Sequence, residues 1–336
     1  MCSSDLEQER KALRWGMIII LVGIGFRLLT GGFFTSVINF ITDPKVASFL
    51  VYLETGRVIR TEAPSVSAAP TEPPETTQVI QATDPTAPEI TFSSEDQQWV
   101  DVYLACDLPF DREALLLSEL NWDLRGSEPT VLILHTHATE SYTKTTEVYD
   151  ETYYRTHNEN YNMVRIGQQV AELLEAAGIS VIHDRTLHDA PSYEEAYDRS
   201  REAAKAYLEQ YPSICLVLDL HRDAADMTQG QLRTLATIDG QESAQLMLVV
   251  GTSASGQPHP NWQQNLALAE KLHVVLQKEN PGVCRPILLR NQRFNQDLHP
   301  GALLVEVGAA GNTLPEALLA AEALAEAIST LSGGTS

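Results

Sequence analysis

Three apolar runs in this chain end on residues that bind metals or move protons. Val131-Leu132-Ile133-Leu134 leads straight into His135-Thr136-His137-Ala138-Thr139-Glu140. Ile214-Cys215-Leu216-Val217-Leu218-Asp219-Leu220 stops at His221-Arg222-Asp223, and Ala302-Leu303-Leu304-Val305 stops at Glu306-Val307-Gly308. Runs that are apolar at successive positions read as strands buried on both faces, and open α/β sheets place their sites at the C-terminal strand edge. Imidazoles and carboxylates brought there by different strands are what a catalytic zinc site requires: three protein ligands, an open position and a base close to bound water.

His135 and His137 are two apart, so in an extended segment both point to one side and both face the site. Glu140 reaches the same point from the following loop, with Glu151 and Glu159 as the other nearby carboxylates. His221 follows a wholly apolar strand; its bland alternative is a strand-terminating hydrogen bonder, with Arg222 and Asp223 as a weak surface ion pair. Glu306 sits among Leu303, Leu304, Val305 and Val307, where desolvation raises a carboxyl pKa and fits it for general-base work. Its structural alternative is a salt bridge to Arg222 or Arg293. Arg222, Asp223, Asn295 and Gln296 are read as residues that support the ligands or meet substrate. His157, His183, His188, His259, His273 and His299 lack a comparable context.

The elements that must position these residues alternate. A strand at 130–134 is followed by a helix over 162–177, whose Val164, Val170, Leu173 and Leu174 recur at helical spacing before Gly178. A strand at 180–183, a helix from a Ser192-to-Glu195 capping box to about 211 and a strand at 214–220 come next. Asp239-Gly240 is the turn between strands 233–238 and 246–250. A helix over 261–279, strands at 286–289 and 302–307, and a helix over 314–331 behind a Thr313-to-Glu316 box complete the chain. The fold class is therefore α/β: a mixed, mostly parallel sheet with helices on both faces.

Upstream the character changes. Residues 15–26 are uninterruptedly apolar behind Arg10, Lys11 and Arg14, and the apolar character continues to Ile41. This reads as an uncleaved signal anchor with its N-terminus in the cytoplasm and the remainder outside. Thr61 to Thr91 carries six prolines and no aromatic or basic residue, so it reads as a disordered tether. The organisation expected is a cytoplasmic tail (1–14), an anchor (15–41), an extracytoplasmic stalk (42–95), a lead-in (96–129) and a catalytic domain (130–332). The 336 residues carry a formal net charge of −22, which argues against nucleic acid and against docking on anionic surfaces. Four cysteines form neither a disulfide framework nor a Cys-type zinc site.

The block from His135 to Tyr142, residues 161–167, 183–186, Asp219 to Ala224, 249–252, 294–298 and Leu303 to Gly308 together resemble the stage II sporulation protein P family. The resemblance runs from about Thr130 to the C-terminus, and the anchor and low-complexity tether fit the same layout. It implies a zinc-dependent N-acetylmuramoyl-L-alanine amidase fold and activity, with zinc as cofactor and an associated endopeptidase activity on peptide cross-links. It also implies a role in septal membrane migration during sporulation, peptidoglycan glycan strands and stem peptides as substrates, and stage II sporulation proteins D and M as partners. Carried over, the first histidine block and His221 correspond to metal ligands and Glu306 to the catalytic glutamate. Whether His135 or His137 binds, and whether Glu140 or Glu159 supplies the carboxylate, stays open at this level. Two rival readings accompany it: a non-catalytic wall-binding scaffold on the same fold, and another zinc hydrolase such as a carboxypeptidase or deacetylase.

Overall fold

The computed structural model describes residues 90–104, 108–120, 122–143, 154–224 and 231–335. The chain divides into two units, Met1–Thr77 and Gln78–Ser336, and every described residue lies in the second. The expected anchor, the tether as far as residue 89, Cys106 and Glu151 fall outside the described residues. Among the described residues no helix is long and apolar enough to cross a membrane.

The first half comprises β1 (Val102–Leu104), α1 (Arg112–Leu116), β2 (Val131–Leu134), α2 (Met163–Ala176), β3 (Val181–His183), α3 (Ala196–Gln210) and β4 (Leu216–Asp223). The second comprises β5 (Leu235–Ile238), β6 (Gln241–Ala244), β7 (Leu246–Gly251), α4 (Trp262–Glu279), β8 (Ile287–Arg290), β9 (Ala302–Ala309) and α5 (Leu314–Thr330). Seven strands form one sheet in the order β1-β8-β7-β9-β4-β2-β3. All neighbours are parallel except β7 and β9. The mixed, mostly parallel sheet expected from the sequence is therefore present.

Alternation along β2 explains the layers. Val131 and Ile133 join Leu216, Leu218 and Leu220 in the larger core with residues of α2, α4 and α5. Leu132 and Leu134 point the other way, to Val217, Ala302 and Ala204 of α3. Side chains two apart share a face and neighbours do not, so a strand apolar throughout demands cover on both sides. The helices supply it.

Three expectations at the level of elements are corrected. Asp239-Gly240 does turn the chain, with φ of 48° and 77°, but it joins β5 to β6 in a separate two-stranded sheet, and β7 follows only afterwards. A two-residue turn with both φ positive pairs the strands immediately beside it. The Ser192-to-Glu195 box does not form: α3 starts at Ala196, and its N-cap Glu195 makes no side-chain cap. Glu195 instead pairs with Arg199 at 3.0 Å, and Arg199 also donates to the Ser192 carbonyl. Finally, β4 and β9 run through His221, Arg222, Asp223 and Glu306 rather than stopping before them. Those polar residues are rungs of the ladder.

The Thr313-to-Glu316 box at α5 is formed, and Glu316 also accepts from Arg233 and Asn312. Burial alone would raise its pKa, but these hydrogen bonds hold it down to about 2. A folded-state pKa below the unfolded one stabilises the fold above the unfolded value, and that contribution disappears as pH falls through the folded value. Glu316→Ala is expected to cost about 1–2 kcal/mol near neutrality, with the deficit shrinking below pH ~3. Urea unfolding of both proteins across that range checks it; a deficit independent of pH would show that the ionised carboxylate adds nothing.

Candidate metal centre

After Leu134 the backbone turns through residues 136–139. This breaks the alternation that would have sent His135 and His137 to one side. Both nitrogens of buried His135 are engaged: Nδ1 lies 3.2 Å from the Leu220 carbonyl, and Nε2 lies 2.9 Å from His183 Nε2. A carbonyl only accepts, so His135 Nδ1 carries the proton and Nε2 accepts from His183. Burial lowers the pKa of His135 to about 3 and that of His183 to about 4, so the pair is neutral. Gly167 of α2 makes room for it. A Cβ there would sit 2.4 Å from His135 Nε2 and 2.5 Å from His183 Nε2. Gly167→Ala gains helix propensity, about 1 kcal/mol, yet is expected to destabilise by about 1–3 kcal/mol net through overpacking. Equilibrium urea denaturation reads this, and a stabilised variant would refute it.

His137 turns instead toward Glu140 and His221, and the three buried residues offer ligand atoms that all lie within 4.8 Å of one another. His137 Nδ1 is 3.5 Å from Glu140 Oε1, and His221 Nδ1 is 3.5 Å from Glu140 Oε2. Tetrahedral zinc with bonds near 2.1 Å separates its ligands by roughly 3.4 Å, so the donor set fits that ion. The far side of His221 supports the fit. Its Nε2 is 3.0 Å from Asp219 Oδ1, an ion-pair contact rather than an aligned hydrogen bond. Asp219 also accepts from the Thr136 amide at 2.8 Å and its hydroxyl at 2.6 Å. One carboxylate thus fixes both the imidazole and the turn that carries His137, as the outer partners of metal sites do. Burial opposes charge on His221, but Asp219 and Glu140 hold its pKa well above the ordinary range. A metal ion would take the place of that proton.

The Glu140 loop is tied down from several directions. Glu140 bridges to Arg155 and Ser141 to Asn162 in short antiparallel contacts. Arg155 Nη1 is 2.7 Å from Asp189 Oδ2, which also accepts from the Thr139 hydroxyl at 2.5 Å. Tyr142 donates its hydroxyl to the Val307 carbonyl at 2.8 Å. Arg222 is buried, donates to the carbonyls of Ser141 and Tyr154, and offers its own amide to Glu140 Oε2. Burial works against a charged Glu140, but Arg222, His137 and His221 hold its pKa well below the usual carboxylate range. Arg222 is therefore a buried support of the loop, not half of a surface pair.

Glu306 arrives from the adjacent strand. The parallel ladder pairs it with His221, and a one-residue irregularity follows at once, so that Asp223 pairs with Ala309. Gly308 accommodates the extra residue with φ of 69°, where a Cβ would meet that of Ala244 at 2.8 Å. Irregularities of this kind re-aim side chains beside active sites. Glu306 Oε2 is buried and has no hydrogen-bond partner among the described residues. Burial, Asp223 and Glu140 push its pKa well above the carboxylate range, against the pull of His221 and Arg285. Asp223 pairs with buried Arg285 at 2.6 Å. The salt bridges to Arg222 or Arg293 considered for Glu306 are not among the ion pairs of the described residues.

The remaining candidates lie elsewhere. Asn295 donates to the Tyr197 carbonyl at 2.8 Å, and Gln296 donates to the Val249 carbonyl and accepts from the Gly251 amide, both at 2.8 Å. Glu159 pairs with Arg185 at the surface. Sequence reasoning passed over Asp219, although its spacing of two from His221 puts both on one face of a strand. Nothing near Arg155 or Arg285 in the sequence signals their roles, since topology alone brings them to the site.

The sequence profile described as Stage II sporulation protein P matches residues 59–329. The chain belongs to that family. The curated Stage II sporulation protein P of Bacillus subtilis (strain 168) is 30% identical over 217 residues, which cover 61% of this chain and 52% of that protein. This family member thus spans about half the length of the curated relative it matches. Among solved structures, the N-acetylmuramyl-L-alanine amidase Ami1 from Mycobacterium smegmatis is similar at 12% identity and a TM-score of 0.39, covering 63% of this chain and 99% of that one. The N-acetylmuramoyl-L-alanine amidase from Clostridium difficile 630 is similar at 16% identity and a TM-score of 0.34, covering 61% and 94%.

Proposed function

We propose that this chain is a zinc-dependent peptidoglycan hydrolase that cleaves the amide joining the lactyl group of N-acetylmuramic acid to L-alanine of the stem peptide. The observation that carries the reading is the buried His137, Glu140 and His221 cluster with Glu306 beside it on the neighbouring strand, in a member of the stage II sporulation protein P family. His137, Glu140 and His221 would hold the metal. Zinc bound there supplies Lewis acidity toward a carbonyl and an acidified water. Asp219 keeps the His221 ring oriented, and Arg222 and Arg155 keep the Glu140 carboxylate in place. Glu306 takes the proton of the attacking water on Oε2 and returns it to the departing L-alanine nitrogen.

The wider assignment belongs to the same proposal. Residues 15–41 anchor the protein with its N-terminus in the cytoplasm, and the tether lets the extracytoplasmic domain reach the septal wall during engulfment. Cross-link endopeptidase activity and association with stage II sporulation proteins D and M complete it. The test is product analysis on purified peptidoglycan with metal measured on the same sample. An amidase frees intact stem peptides with an L-alanine amino terminus, and His221→Ala is expected to fall from about one zinc to below roughly a tenth of an equivalent. Products ending in free D-amino acids or deacetylated sugars would assign another zinc hydrolase. Zinc-loaded protein without any product would assign a scaffold.

A further inference from the structure

A row of aromatic rings flanks the metal cluster on the α3 side. Tyr193 stacks on His137 with ring centroids 4.4 Å apart, and the ring of Tyr197 meets His137 edge-on at 5.5 Å. Phe294 continues the row, 6.0 Å from Tyr197. Tyr193 is 53% exposed, one of few large apolar side chains so exposed among the described residues. The Tyr197 hydroxyl has no hydrogen bond to any described residue.

Phe294 holds its place at a cost. Its φ is 49°, and the next residue, Asn295, is also left-handed at 57°. Asn tolerates that region, but a bulky aromatic adopts it only under strain. The surroundings over-determine it. Asn295 donates to the Tyr197 carbonyl and the Ser200 hydroxyl, Arg201 donates to Asn295 and Asp297, and Gln296 is clamped to β7. Strain of this kind persists where it positions a functional group. What is positioned is a ring beside the cluster.

Resting on the amidase reading, the geometry points to Tyr193, Tyr197 and Phe294 as a subsite for the sugar ring of N-acetylmuramic acid next to the scissile bond. In that substrate only an ether oxygen and one carbon separate the sugar from the scissile carbonyl. A sugar ring must therefore lie against whatever flanks the metal cluster. The polarised C–H face of a pyranose complements the negative face of an aromatic ring. The acidic stem peptide suits this wall poorly. Glu140, Asp219 and Glu306 lie behind it, Arg155, whose guanidinium packs over the Tyr193 ring 4.7 Å from its centroid, is paired with Asp189, and Arg222 is paired with Glu140. The sugar goes to the rings and the peptide leaves on another side.

The test uses the zinc-loaded full-length protein, with zinc quantified in every variant. Calorimetry with a peptide-free glycan tetrasaccharide is expected to show binding that Tyr193→Ala and Phe294→Ala each weaken roughly fivefold, the scale of one aromatic contact. The ratio of kcat/KM for N-acetylmuramoyl-L-alanyl peptide to that for N-lactyl-L-alanyl peptide, which lacks the sugar, is expected to fall by a similar factor. Tyr193→Trp, which keeps a ring face, should preserve both. Equal losses on the two substrates would overturn the subsite and make the rings mere supports of His137. So would glycan affinity insensitive to both alanines, or competition by free stem peptide alone. Ring-dependent glycan binding without amide cleavage would instead sustain the subsite and defeat the amidase reading.

Discussion

Glu306→Gln is expected to lower amide cleavage by roughly 10²-fold or more, the scale of removing a general base, while the protein keeps its zinc. Glutamine is nearly isosteric and keeps a hydrogen-bonding oxygen, but it cannot accept the water proton. The carboxylate it replaces is buried beside Asp223 and Glu140 with one oxygen unpartnered, so its proton affinity is raised toward the working pH. The same substitution should act oppositely on the metal-free fold. A raised folded-state pKa gives stability that is complete below the unfolded value and is lost as pH rises through the folded one. The glutamine variant escapes that loss and should be more resistant to urea than the parent above neutrality. Zinc lost in parallel with activity would make Glu306 a ligand, and near-normal turnover would move the base to another carboxylate.

Arg285→Met is expected to destabilise the protein by about 3–5 kcal/mol, as breaking a buried ion pair does. Arg285 is almost wholly buried and donates to Asp223 Oδ2 at 2.6 Å, and together with His221 it pulls against the raised pKa of Glu306. Methionine fills much of the volume, so the loss reports charge rather than a cavity. Asp223 loses the partner it is hydrogen-bonded to beside Glu306 and keeps only the longer-range pull of Arg222 and Arg290. Adding Asp223→Asn to Arg285→Met should recover part of the loss, and the coupling energy from the four proteins measures the pair. Additive effects would place the role of Arg285 in packing alone.

The sheet was legible because its strands are apolar at nearly every position, a pattern that only a doubly covered sheet accommodates. His221 and Glu306 were legible for the same reason: a charged residue at the end of such a run has to be explained. The choice between His135 and His137 was not. It depends on a turn at residues 136–139, and on His183 and Gly167 standing opposite His135, which no local spacing encodes. Nor did the sequence reveal that β4 and β9 continue through their polar residues. Polar side chains mark a strand end only when they meet solvent, and here they meet one another. Arg155 and Arg285 stayed invisible because their partners are distant in the chain and adjacent only after folding.

His221 and Glu306 face each other across hydrogen-bonded rungs of two central strands, whereas His137 and Glu140 ride on a loop. The two halves of the cluster therefore belong to different units of local unfolding. Backbone amides around residues 217–221 and 303–306 should exchange with deuterium only through global unfolding, while those around 137–141 open more readily. A metal ion held by His137, Glu140 and His221 would then leave by lifting the loop, with Glu306 still seated in an intact sheet. On the proposed zinc reading, a protein stripped of the metal near neutrality would accordingly need only that loop to reseat, so reconstitution should be fast compared with refolding.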